Sequence, residues 1–198
     1  MAATSIPVLP IVLAAGAACL VTTGLAAVLL LASAPPQAAR AQSRTSAAGA
    51  EADAAANAFD DGMRRLEKAD ALGVKKSATY SFDYAAAPDA KAVREYEQAV
   101  VAFTKSVSLR PKRKEAHNHL GYCYRRLGKL SESLSSYDKA IDLDPDFALA
   151  RGRRGEVYLA LGRLDGAEAE LAVLRGLDAR YADQLARAIS MYRAAHAD

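Results

Sequence analysis

The sequence predicts an all-α protein, a short right-handed helical solenoid of about three helix pairs closed by a C-terminal capping helix. Three observations carry this prediction. Residues of matching type recur every 34 positions: Gly121 and Gly155, Gly128 and Gly162, Tyr124 and Tyr158, Leu127 and Leu161, Leu130 and Leu164, Asp144 and Asp178. Some series run through three copies, as in Ala99, Ser133, Ala167; Phe103, Tyr137, Leu171; Leu109, Leu143, Leu177; and Pro111, Pro145, Ala179. The repeat is followed by one further amphipathic stretch, as a stack of units needs a terminal element over its last open face.

The residue types explain why the unit is a pair of helices. A Gly at 121 or 155 lets two helix backbones approach where any side chain would hold them apart. The second Gly, at 128 or 162, suits a helix C-terminus, where a left-handed conformation costs Gly nothing. The small residue of each copy lies where the second helix presses on the first, and the aromatic or Leu four residues later shares that face. Asp144-Pro145 ends the second helix, because Pro lacks an amide donor and disfavours α geometry in the residue before it.

Taken in chain order, residues 1–34 are a hydrophobic segment. Ile11 to Ala34 is a run of 24 residues without a charge, and about 20 suffice to span a bilayer. An uncleaved span is favoured by the length, an export signal by the small residues and the polar stretch that follows. Arg40 and Arg44 come after the segment, so an uncleaved span would keep the rest on the cytoplasmic side, whereas cleavage would export it to a periplasmic or secreted location. Residues 35–50 read as a flexible linker: Pro35-Pro36, then Ala, Ser, Gln, Thr and Gly without a large apolar residue. The folded domain is expected over 51–198.

The first repeat, 52–113, is split. Its second helix shows in Val93, Tyr96, Val100, Phe103 and Val107, at helical spacing over Ala90–Leu109. Its first helix is expected over Asp53–Leu72, where Phe59, Met63 and Leu66 form a stripe and Gly62 is the crossing Gly. Gly121 precedes Ser133 by 12 residues, whereas Gly62 precedes Ala99 by 37. An insertion covering about 70–94 makes the difference. It carries Tyr80, Phe82 and Tyr84 in alternation and ends on Pro88-Asp89, a helix start signal. Loops this long are often functional, but a loop tip packed on its own repeat is the plainer reading.

Residues 114–147, KEAHNHLGYCYRRLGKLSESLSSYDKAIDLDPDF, resemble a tetratricopeptide repeat through Leu120-Gly121, Tyr124, Ser133, Tyr137, Ala140 and Pro145, with His117 where the family usually has Trp. Residues 148–181 form a weaker copy: Gly155, Tyr158, Gly162 and Ala167 fit, while Arg154 replaces Leu, Leu174 Ala, and Ala179 Pro. A capping helix is expected over 180–196, with Leu185, Ala188, Ile189 and Tyr192 on one face. It is assigned to stability.

No catalytic constellation stands out, and no metal or cofactor site. Cys123 is the one thiol after the apolar run, which excludes an internal disulfide in the domain, and a buried small hydrophobe is its default reading. His117 and His119 are two apart and diverge on a helix, while Glu115 and His119 make two ligands and no site. Arg151-Gly-Arg-Arg-Gly155 lacks the spacing of a phosphate loop.

The resemblance implies a protein-interaction module that holds a peptide or partner helix in a concave groove lined by first helices. Carried over residue by residue, the groove positions are Asn118, Tyr122, Arg125 and Arg126 in the better copy, and Leu149, Gly152, Arg153, Glu156 and Leu159 in the weaker one. Guanidinium groups favour bidentate recognition of carboxylates, so the expected partner is a protein or peptide with acidic side chains or a C-terminal carboxylate. The chaperone-binding subclass needs Asn where His119 stands and Lys where Leu149 stands; only Arg153 fits. A rival reading is a basic surface for nucleic acid or anionic lipid, made of Lys112-Arg113-Lys114, Arg125-Arg126, Lys129 and Arg151-Arg153-Arg154. The formal charge of only +3 and the interspersed Glu132, Asp142, Asp144 and Asp146 argue against it. A third reading is architectural: the solenoid dimerises or joins a membrane assembly through the stretch near Tyr80–Tyr84.

Overall fold

The computed structural model describes residues 37–73 and 89–196. The apolar run 11–34 and the aromatics Tyr80, Phe82 and Tyr84 lie outside them. Among the described residues no helix is long and apolar enough to cross a membrane.

The described chain is all-helical, as the repeat requires: α1 (Gln37–Gly73), α2 (Ala90–Leu109), α3 (Lys114–Arg126), α4 (Leu130–Leu143), α5 (Ala148–Ala160), α6 (Leu164–Leu177) and α7 (Ala179–Ala195). Each odd helix packs on the even helix after it, each even helix on the next odd one, and α5 on α3 and α7. That is a solenoid of three hairpins, α1–α2, α3–α4 and α5–α6, with α7 closing the stack.

The punctuation follows the sequence. Gly128 and Gly162 adopt φ of 72° and 71°, directly after the C-caps Leu127 and Leu161. Asp89 caps α2 by accepting from the Lys91 amide at 3.2 Å. Asp144 ends α4, and Asp178 both ends α6 and caps α7, accepting from the Arg180 and Tyr181 amides at 2.9 and 3.2 Å. Each such cap is worth about 1 kcal/mol.

Small residues set the spacing within hairpins. A Cβ on Gly62 would lie 2.7 Å from the Phe103 ring, and one on Gly121 2.7 Å from the Tyr137 ring. Both rings are fully buried. The third copy differs: Gly155 faces Leu185 of α7 at 2.5 Å rather than Leu171 of its own hairpin, and Gly166 receives Tyr158. Because α7 supplies that contact, the capping helix substitutes for part of the repeat's own packing.

Three apolar clusters follow one another along the stack. The first joins Leu66, Tyr96, Phe103, Leu120 and Cys123; the second Tyr137, Ile141, Ala150 and Val157; the third Leu159, Leu171, Leu174, Leu185 and Ile189. Burying each large side chain contributes roughly 1.5–3 kcal/mol. Burial pushes the Cys123 thiol up to about 12, so this residue is an inert part of the core.

One expectation is corrected. Residues 37–50, part of the stretch read as a flexible linker, continue α1 as helix. Ala is the best helix former, and the stretch is rich in it. The composition argument holds in one respect: residues 46–51 are all exposed.

Candidate ligand groove

The first helices of successive hairpins stand side by side, so residues one or two turns apart on α3 and α5 converge on the same surface. A cavity of about 200 Å³ opens there, lined by Tyr122 and Arg125 of α3, Leu149, Gly152, Arg153 and Glu156 of α5, and Tyr181, Gln184 and Leu185 of α7. Gly152 keeps the floor low: a Cβ there would meet Tyr181 at 3.7 Å.

Its polar chemistry centres on Tyr122. Arg153 lies over the Tyr122 ring at 4.9 Å and Arg125 at 5.5 Å, arrangements worth about 0.5–2 kcal/mol each as burial deepens. Arg125 also pairs with Glu156 across the two helices. The Tyr122 hydroxyl donates to Asp70 Oδ1 at 3.0 Å, and burial, reinforced by the Asp70 charge, raises its pKa above the ordinary tyrosine value. Arg153 Nη1 is buried without a hydrogen-bond partner. The groove thus combines an aromatic platform, an apolar side chain in Leu149, an internal ion pair, and one guanidinium nitrogen with unused donor capacity.

Of the positions carried over from the resemblance, Tyr122, Arg125, Leu149, Gly152, Arg153 and Glu156 are brought together. Three are placed elsewhere. Leu159 is 2% exposed within the third apolar cluster, because α7 packs on α5 and shares that cluster. Asn118 is 1% exposed, with Oδ1 buried and unpartnered. Arg126 lies outside the cavity lining: its Nε donates to the Tyr96 hydroxyl at 3.0 Å, and that hydroxyl donates at 2.6 Å to the same Asp70 Oδ1 that Tyr122 reaches.

Two contributions escaped the sequence reading. Tyr181 and Gln184 come from α7, which had been assigned to stability; yet the Asp144 to Asp178 repeat starts α7 where a fourth first helix would begin. Asp70 reaches Tyr96 and Tyr122 because α1 runs past the point where α3 stops. At the register of Gly128, α1 has Ala69, so no left-handed turn ends it.

His119 occupies a distinct environment. Its ring stacks on Phe103 at 5.3 Å and meets Phe59 at 5.7 Å, while Arg113 covers Phe59 at 3.5 Å. Burial first, then the charges of Arg153 and Arg113, hold its pKa down to about 4. Among the described residues no group of three or more His, Cys, Asp or Glu side chains is placed to hold a metal ion.

A stack of helix pairs with a groove along its first helices defines a helical-repeat protein. The repeat itself is identified by family: residues 115–147 match the tetratricopeptide repeat, and residues 136–169 match a second model of the same repeat. The chain therefore carries tetratricopeptide repeats over 115–169. It is 32% identical over 74 residues to Hsp70-Hsp90 organizing protein 2 of Arabidopsis thaliana, covering 37% of this chain and 13% of that protein. It is 31% identical over 91 residues to heat shock protein STI1 of Saccharomyces cerevisiae, 43% of this chain and 15% of that one. The match thus spans only a small part of these relatives' length. Among solved structures, the TPR2AB domain of yeast Sti1 in complex with pHSP90 superposes with a TM-score of 0.49 at 21% identity, over 78% of this chain and 54% of that one. The first TPR of Spaghetti (RPAP3) bound to the HSP90 peptide SRMEEVD gives 0.48 at 21% identity, over 69% and 95%.

Proposed function

We propose that this protein is a binding module, an adaptor or scaffold that holds a short peptide or partner helix in the groove between α3, α5 and α7. The observation that carries this is the 200 Å³ cavity with Arg153 Nη1 buried and unpartnered beside the Tyr122 ring. A ligand carboxylate supplies the acceptor that Arg153 lacks, and Tyr122 and Leu149 take apolar parts of the same segment. The ligand class is therefore a peptide with an acidic side chain or a free C-terminus. The apolar run 11–34 would tether the module to a membrane, or direct its export if cleaved. Alkaline carbonate extraction of full-length protein separates the two, since a tethered chain stays with the pellet.

A second reading, capture of chaperone tails, is favoured by the names of the Arabidopsis and yeast relatives. It is opposed by His119, an uncharged ring in an aromatic stack, and by Leu149, which puts an apolar group where that subclass needs an amine. The rival of a basic surface is weakened by pairing: Lys114 binds Asp144, Arg125 binds Glu156, and Arg151 and Arg154 share Glu170.

Selection of free-C-terminus peptides against the full chain in detergent tests the groove reading, with SRMEEVD as comparison ligand. A charge-assisted hydrogen bond is worth about 1.5–3 kcal/mol, so Arg153→Glu is expected to weaken the selected peptides by at least about ten-fold, and Tyr122→Ala by a similar factor. Equal binding to both variants would remove the groove from consideration. Tighter binding of SRMEEVD than of any selected peptide would favour the chaperone reading. Affinity that collapses steeply with salt for nucleic acid or anionic vesicles would favour the basic surface.

A further inference from the structure

The cavity that holds Arg153 also holds a carboxylate of its own. Glu156 lies three residues further along α5, so the two side chains share one helix face. Glu156 is paired across the groove with Arg125 of α3, and these side chains are only 22% and 16% exposed. The lining therefore sets two guanidinium groups against one carboxylate, and its other side chains carry neither an acid nor an amine.

Size makes that carboxylate felt throughout the site. A space of about 200 Å³ is roughly 7 Å across, less than the ~8 Å over which physiological salt screens a charge. Every acidic group that enters therefore stands within reach of Glu156. The first finds a donor in Arg153, whose Nη1 is buried without a hydrogen-bond partner. A second meets Glu156, with Arg125 already engaged to it. Another acid adjoins the aromatic platform: Asp70 Oδ1 accepts from the Tyr122 hydroxyl at 3.0 Å.

We propose that Glu156 is a specificity residue: the groove takes one ligand carboxylate, a free C-terminus or an acidic side chain, and rejects two adjacent ones. Given peptide binding in this groove, the ligand class narrows to segments whose charged end is flanked by neutral residues. Like charge set against the wrong ligand is a general source of selectivity. Leu149, two turns before Glu156 on α5, gives the residue beside the carboxylate an apolar contact instead. A segment such as SRMEEVD, whose last residue is an Asp with a free C-terminus, belongs to the rejected class.

The test uses full-length protein in detergent and two pools of acetylated hexapeptides with a free C-terminus. The pools are identical except that each Gln at the last two positions of one is Glu in the other. The parent protein is expected to retain the Gln pool at least about ten-fold better than the Glu pool. Glu156→Gln, which keeps the size of the side chain, is expected to bring that ratio near one. Arg125→Gln, which removes the guanidinium that offsets Glu156, is expected to widen it. An ion pair that only fastened α3 to α5 would lower retention of both pools together and leave the ratio unchanged. A parent that does not discriminate, or discrimination that survives Glu156→Gln, overturns the proposal while leaving the groove as a binding site. If Glu156→Gln retains neither pool, Arg125→Gln decides, and a ratio that fails to widen overturns the proposal. Retention of neither pool by the parent, or retention unchanged by Arg153→Glu, overturns the groove reading itself and this proposal with it.

Discussion

The hairpins 114–147 and 148–181 hold the same backbone in register with opposite interior chemistry. Leu120 in the first is replaced by Arg154 in the second, 34 residues on, and Ser136 by Glu170. Leu120 is 6% exposed and packs with Phe103 and Cys123. Ser136 bonds back to the Glu132 carbonyl at 2.8 Å. In the second hairpin Glu170, 5% exposed, accepts from Arg151 and Arg154, and Arg154 also donates to Asp138 at 2.6 Å. Burial opposes the Arg154 charge, yet the hydrogen bonds to Asp138 and Glu170 outweigh it and hold its pKa above the ordinary value. The repeat specifies a shape, therefore, and an ion network fills it as well as an aliphatic side chain does, provided every charge finds a partner.

The largest expected effect comes from breaking that network on one side. Glu170→Leu leaves two guanidinium groups against an apolar side chain, and removing one partner of a buried pair costs about 3–5 kcal/mol. Arg154→Leu combined with Glu170→Leu exchanges that pair for aliphatic side chains, as at Leu120 of the better copy, and leaves Arg151 its bond to the Pro145 carbonyl at 2.7 Å. The double variant is expected to lie within about 1 kcal/mol of the parent in urea unfolding, since an ion pair exchanged for apolar residues is often neutral. A single variant that costs less than about 1 kcal/mol would show that the network is a solvated surface feature.

The next comparison is between His119 and Arg153, again 34 residues apart. Arg153 lines the groove, whereas His119 is held neutral between aromatic rings. An unfolded His binds a proton near pH 6.5, the folded one only near 4. The unfolded chain therefore binds more protons between those values, and folding stability declines as pH falls through that window. At about 1.4 kcal/mol per unit, the loss is on the order of 2–3 kcal/mol. Chemical denaturation at pH 7.5 and pH 4 measures it, and His119→Leu is expected to flatten the slope. A slope unchanged by that substitution would place the acid sensitivity elsewhere.

Much of this was legible before the structure, and for a physical reason. Gly121, Gly128, Tyr137 and Asp144 each answer a local steric or capping demand that recurs every 34 residues, so the fold follows from the period. Groove residues on α3 and α5 follow from the same register. What register alone missed was set by neighbours. Leu159 occupies a position that faces the groove in an inner repeat, but here α7 covers it. Tyr181 and Gln184 join the site for the same reason. Asp70 entered because α1 lacks the stopping glycine. The helical state of 37–50 was hidden because its composition speaks both for polar exposure and, through Ala, for helix.

The smallest expected effect distinguishes the two crossing glycines. A Cβ on Gly121 would sit 2.7–2.8 Å from three atoms of the Tyr137 ring, which is planar, fully buried and unable to give way without moving α4. A Cβ on Gly155 would meet the methyl groups of Leu185 at 2.5 and 2.8 Å. Leu185 is also buried, but its contact atoms are the ends of a side chain that changes rotamer. Overpacking costs about 1–3 kcal/mol. Gly121→Ala is therefore expected near the top of that range and Gly155→Ala near the bottom, despite the shorter contact at 155. Thermal unfolding of the two variants side by side measures the difference. If Gly155→Ala proves the more damaging, then α7 is as firmly fixed as a full repeat, and the closing helix, rather than the ring under Gly121, is the most rigid contact in the stack.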